Sequence, residues 1–105
     1  MRILFDQGTP VPLRDHLTNH TVDTVFELGW PTLENGQLLA AAENSFDLFI
    51  TTDQQIRYQQ NLAGRRLAIL VLLSASWPQI RLRIPQIQMA IEEMKSGDYR
   101  EVTMT

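Results

Sequence analysis

The chain contains no cysteine, which excludes disulfides and thiolate metal sites together. Lysine is nearly missing too: Lys95 stands alone beside eight arginines. A net charge of -3 gives no bulk attraction for nucleic acid. The cluster Arg57, Arg65 and Arg66 and the pair Arg81 and Arg83 can still hold a phosphodiester locally, or can simply form a solvated surface. The five glycines, Gly8, Gly29, Gly36, Gly64 and Gly97, are scattered, so there is no glycine-rich phosphate loop. No Gly-x-Ser-x-Gly nucleophile elbow occurs. No apolar run approaches the ~20 residues that a membrane span needs, so no membrane association is expected. The start, Met1-Arg2-Ile3-Leu4-Phe5-Asp6, does not read as a signal peptide, because an acid interrupts the apolar stretch at once. A cytoplasmic location is compatible with these features.

What is present fits one domain over residues 1–105. Apolar content of 44% and a mean hydropathy of -0.15 match an ordinary globular protein, and a chain of this length buries roughly two-thirds of its unfolded surface. Apolar, β-prone runs alternate with helical patterns. Strands are expected at 2–6, 21–26, 48–52 and 67–73, with a short edge strand over 99–104. Thr9 reads as the N-cap of a short helix with Pro10 at its first position. Asn35 reads as the N-cap of a helix through Glu43, with Leu38, Leu39 and Ala42 facing inward. A short helix is expected within 54–64, and a last helix carries Ile87, Ile91 and Met94, with Pro85 in its first turn or kinking it. Strands alternating with helices imply a right-handed βαβ arrangement, hence an α/β fold with a mostly parallel sheet of four to five strands flanked by helices.

Two runs carry the chemistry: Arg2-Ile3-Leu4-Phe5-Asp6 and Leu48-Phe49-Ile50-Thr51-Thr52-Asp53. Each is a strand ending in a carboxylate. In parallel strands of one sheet, Asp6 and Asp53 lie side by side at the carboxyl edge, where open α/β sheets bind ligands. Paired carboxylates repel one another and invite a hard divalent cation. Glu27, after the second strand, is a candidate third oxygen ligand or a surface residue. Asp47 starts its strand and belongs to the wrong edge. Ser74 ends the fourth strand and can bond a phosphate or turn the chain. Tyr58, among Gln54, Gln55, Gln59, Gln60 and Asn61, is a candidate contact for bases and sugars, or part of a polar helix face. His16 and His20 have the spacing of helical zinc ligands but lack a clear third ligand.

Taken together, Arg2 to Asp6, Glu27-Leu28-Gly29-Trp30, Asn35-Gly36-Gln37-Leu38-Leu39 and Thr51-Thr52-Asp53-Gln54 resemble the PIN-like domains of the DUF5615 group over nearly the whole chain. That group is related to PIN-domain nucleases, many of them ribonuclease toxins of bacterial toxin–antitoxin pairs. The resemblance implies a three-layer PIN-like fold and a Mg²⁺ or Mn²⁺ site, with Asp6 as the first-strand acid, Asp53 as the acid of the later strand and Glu27 as the middle acid. Asn35 stands where PIN nucleases often place another acid, a departure that removes one charge. The implied activity is metal-dependent RNA cleavage by in-line attack, with Arg57 or Arg65 clamping a neighbouring phosphate.

Two other classes stay open. One is a PIN-like binding module that acts through a partner, such as an antitoxin or a twin subunit; the apolar residues Ile80, Ile84, Ile87, Ile91 and Met94 of the last helix suggest a homodimer face. The other is a phospho-acceptor domain of receiver type, which needs a lysine after the fifth strand, where Lys95 does not stand.

Overall fold

The computed structural model describes residues 1–104. Five strands form one sheet: β1 (Arg2–Phe5), β2 (Thr21–Thr24), β3 (Leu48–Thr51), β4 (Ala68–Leu72) and β5 (Tyr99–Val102). A 3₁₀ segment, Val11–His16, lies between β1 and β2. The α-helices are α1 (Asn35–Glu43), α2 (Ile56–Gln59), α3 (Trp77–Arg81) and α4 (Ile84–Glu93). Every strand pair is parallel, in the order β2-β1-β3-β4-β5. The expected four to five mostly parallel strands are thus five, all parallel.

Alternation along the strands builds two cores. Ile3, Phe5, Leu48, Ile50, Leu70 and Leu72 point to the face covered by the 3₁₀ segment, α3 and α4. Leu4, Phe49, Ile69 and Val71 point to the opposite face, covered by α1 and α2. A sheet buried on both sides needs apolar residues at successive positions, which is why β3 and β4 are buried throughout. The result is a three-layer α/β fold.

Several element ends differ from the sequence expectation. Thr9 is not a helix cap: its hydroxyl donates to the Ile50 carbonyl at 3.0 Å, and Pro10 takes the cap position. Pro10 and Pro12 remove two backbone donors, and the segment tightens into a 3₁₀ turn instead of an α-helix. β2 stops at Thr24, where Glu27 folds back on it. Asn35 is the first residue of α1 instead of its cap; Glu34 caps the helix in a capping box with Gln37, whose Oε1 accepts the Glu34 N–H at 3.3 Å. The single last helix is two. Pro85 has no N–H, and its ring would collide with the Arg81 carbonyl in a continuous helix. The chain therefore breaks at Arg83 (φ -116°, ψ 15°) and restarts with Pro85 in the first turn of α4.

Ile80, Ile84, Ile87, Ile91 and Met94 are all buried against the sheet. They leave no apolar surplus on that face, so the sequence argument for a homodimer through these residues does not hold. Gly97 turns the chain into β5 with φ +81°; a Cβ there would stand 2.9 Å from the Arg65 carbonyl oxygen.

Phe49 is fully buried in the middle strand. Phe49→Ala is expected to cost about 3–5 kcal/mol, read as a lower midpoint in urea unfolding.

Candidate functional site

The connection after β1 runs to β2 on one side, and the connection after β3 runs to β4 on the other, so they part between the adjacent strands β1 and β3. This is the switch point of a doubly wound sheet, and the crevice outside the carboxyl ends of β1 and β3 is its natural ligand position. Asp6 follows β1 and Asp53 follows β3, so both acids stand at that crevice.

Thr51 ties them together. It is the last residue of β3 and is fully buried. Its hydroxyl donates to Asp6 Oδ2 at 2.7 Å and accepts the Asp53 N–H at 3.0 Å. Each carboxylate is also held by a local amide: Gln7 N–H donates to Asp6 Oδ1 at 2.8 Å, and Gln55 N–H to Asp53 Oδ1 at 2.9 Å. Asn35, at the start of α1, donates from Nδ2 to Asp53 Oδ2 at 3.2 Å. The strand loops pack closely. A Cβ on Gly8 would stand 2.8 Å from Thr52 Oγ1, so the loop after β1 lies directly on the loop after β3.

A carboxylate can accept about four hydrogen bonds, and each of these two receives two from side-chain and backbone donors. Each therefore retains acceptor capacity. Mg²⁺ keeps several waters and is usually held by one or two carboxylates, so Asp6 and Asp53 are the residues that could hold one here. Among the described residues, no group of three or more acids, histidines or cysteines is arranged to hold a metal.

The other candidates have different partners. Glu27 accepts the Thr24 N–H at 3.0 Å and pairs with Arg14 at 3.1 Å, while its own N–H donates to the Thr24 hydroxyl at 3.1 Å. The Thr24 amide, and then Arg14, hold its carboxyl below the ordinary carboxylate range. It does not bond to either aspartate. Arg65 is at the amino edge, paired with Glu43 at 3.3 Å where β4 begins, and is not beside the acids. Arg57 contacts Tyr58 and reaches β5. Ser74 lies past β4 but donates to Gln79 Oε1 at 2.6 Å and accepts the Ser76 N–H, so it shapes the turn into α3. Asp47, at the amino edge, accepts the Arg2 N–H at 2.8 Å. His16 faces the Trp77 ring, whereas His20 turns to the amino terminus and Glu92, so the two do not converge.

Thr51 carries no sign of its role in the sequence, where it reads only as the end of a strand. The usable signal is its place two residues before the acid: with period-2 alternation, a hydroxyl on the last inward position sits under the loop that follows.

Two surface clefts lie away from the acids. One of about 340 Å³ runs between α4 and β5, past Met89, Ala90 and Val102. A polar one of about 230 Å³ lies between the end of the 3₁₀ segment and α4. Comparison with protein-family models, with curated proteins and with solved structures finds no match.

Thr51→Val keeps the shape but deletes the hydroxyl. It is expected to lower stability by about 1–3 kcal/mol, with Thr51→Ser near wild type; equal urea midpoints for wild type and Thr51→Val would show that the bridge contributes nothing. Glu27 gives a pH signature. Its folded pKa lies below the ordinary 4.5, so its contribution is complete above that value and is lost as pH falls through the folded pKa. Glu27→Gln is therefore expected to flatten the acid limb of a stability–pH curve.

Proposed function

We propose that the chain is a Mg²⁺- or Mn²⁺-dependent PIN-like nuclease acting on RNA, with Asp6 and Asp53 as the cation ligands. One observation supports the reading: a single buried hydroxyl joins the Asp6 carboxylate to the Asp53 backbone amide at the switch point of the sheet. When bound, a divalent cation lowers the pKa of a water and offsets the charge that builds on phosphate during in-line attack. The protein's own residues do the placing. Asp6 and Asp53 present their free lone pairs to the crevice. Thr51 holds the Asp6 carboxylate against the Asp53 backbone, and Asn35 and the Gln55 amide orient the Asp53 carboxylate. In this reading the protein works in the cytoplasm, and an antitoxin protein is its natural partner if it serves as the toxin of a toxin–antitoxin pair.

A second reading has specific support. Glu27 is committed to Arg14, and Asn35 supplies an amide in place of an acid. Both weaken a cation site and favour a PIN-like module that acts by binding a protein partner. A phospho-acceptor domain fits less well: Lys95 lies in the turn before β5, at the amino edge, opposite the acids.

The test is calorimetric titration of Mn²⁺ together with RNA cleavage in its presence. Wild type is expected to bind Mn²⁺ and to cleave. Asp6→Asn and Asp53→Asn are each expected to lose at least about tenfold in affinity, the lower bound for disturbing even an indirect contact, and to lose cleavage. Cleavage unchanged in Asp6→Asn rejects the nuclease reading. A tight stoichiometric protein complex, indifferent to Asp6→Asn and without turnover, supports the binding module.

A further inference from the structure

Arg57, Tyr58, Tyr99 and Glu101 form a cluster between α2 and β5. Arg57 on α2 lies with its guanidinium carbon 4.7 Å from the Tyr58 ring centre and 5.7 Å from that of Tyr99 on β5. It also donates to the Tyr58 hydroxyl at 2.5 Å and approaches Glu101 at 4.0 Å. Tyr99 in turn donates to Glu101 Oε2 at 2.8 Å. Burial, and then this bond, push its pKa up to about 12, so the phenol stays a donor across the working pH range. Tyr99 and Glu101 therefore brace Arg57 from below, while Tyr58 remains 67% exposed. The exposed Tyr58 ring lies against Arg57 of its own helix, and Arg57 is in turn contacted by Tyr99 and Glu101 of β5.

The register fixes where the cluster stands. Thr51 is level with Val71, and Val71 with Glu101. Glu101 thus lies on the same row as the residue that bridges the two acids, two strand spacings away, about 10 Å. Thr51 is the last residue of its strand, and Val71 and Glu101 are the last but one of theirs, with Val71 on the α1/α2 side. Stacked nucleotides advance 3.4 Å each, so a strand of about three nucleotides spans that distance.

We propose that Tyr58, backed by Arg57 and Tyr99, is a stacking platform for an unpaired base of single-stranded RNA whose backbone runs to the Asp6–Asp53 crevice. Aromatic faces and arginine planes hold unpaired bases with little regard to sequence, and a duplex does not offer its base faces. This rests on the nuclease reading for its direction along the chain, but base stacking itself needs no cation.

The experiment uses that independence. Binding of a fluorescein-labelled, mixed-sequence oligoribonucleotide is followed by anisotropy in EDTA, with the single strand and with the same strand annealed to its complement. Wild type is expected to prefer the single strand. Tyr58→Ala is expected to lose about tenfold in single-strand affinity, whereas Tyr58→Phe stays within a few-fold of wild type. Tyr99→Phe, which keeps the ring but drops the Glu101 bond, is expected to fall between them. Equal single-strand binding by wild type and Tyr58→Ala overturns the platform, as does a preference for the duplex, or no binding by wild type. Because metal is absent, the two ideas fail separately: metal-dependent cleavage with no Tyr58 effect rejects the platform alone. Single-strand binding that depends on Tyr58, without cleavage, rejects the nuclease and keeps the platform.

Discussion

One buried hydroxyl joins the end of β3 to the acid that follows β1, and the placing of Asp6 against the loop of Asp53 depends on it. The Thr51 hydroxyl uses both of its roles at once, as donor to the Asp6 carboxylate and as acceptor from the Asp53 backbone amide. Its effect depends on burial: away from water, an unmet hydroxyl or a misplaced carboxylate costs far more than at the surface. The arrangement needs β1 and β3 to be adjacent and parallel, in the register that sets Phe5 beside Ile50 and so brings Thr51 next to Asp6.

The rest of the structure can be read as what keeps that register. β1, β3 and β4 each bury alternate residues in two separate cores, so a slip by one position would send each core's residues to the wrong face. The amino edge is locked as well. Glu43, at the end of α1, accepts the Arg66 and Leu67 amides and pairs with Arg65. The Arg66 amide, first among these, holds the Glu43 carboxyl below its ordinary range. That end is stabilised by an acid satisfied within the protein, while the carboxyl end keeps two acids with spare acceptors. The contrast in partners separates a structural acid from a candidate ligand.

The sheet was legible because a buried parallel strand writes itself as an unbroken apolar run, and 3–5, 48–50 and 68–72 are such runs. The acids Asp6 and Asp53 were legible for the same reason: a charge directly after a buried strand has only the carboxyl edge to occupy. What was not legible depends on side chains meeting across the sequence. Glu27 after β2 reads like Asp6 after β1, yet Arg14 intercepts it from a segment thirteen residues earlier. Arg65 is near Asp53 in sequence but at the opposite edge in space, because α2 and its loop carry the chain back along the sheet. Asn35 has a cap's composition, but Glu34 and Gln37 make the box one residue earlier and release it toward Asp53. The split of the last helix was half visible: Pro85 signals a kink, whereas the full break at Arg83 needs the backbone.

The most direct test of the paired-acid site is where a paramagnetic cation settles. In an ¹⁵N-labelled sample titrated with substoichiometric Mn²⁺, the amide signals of Asp6, Gln7, Thr51 and Asp53 should broaden first and together, because they surround one crevice. Broadening that begins at Glu43, Glu93 or Glu101, or that spreads evenly over the surface acids, would contradict the account.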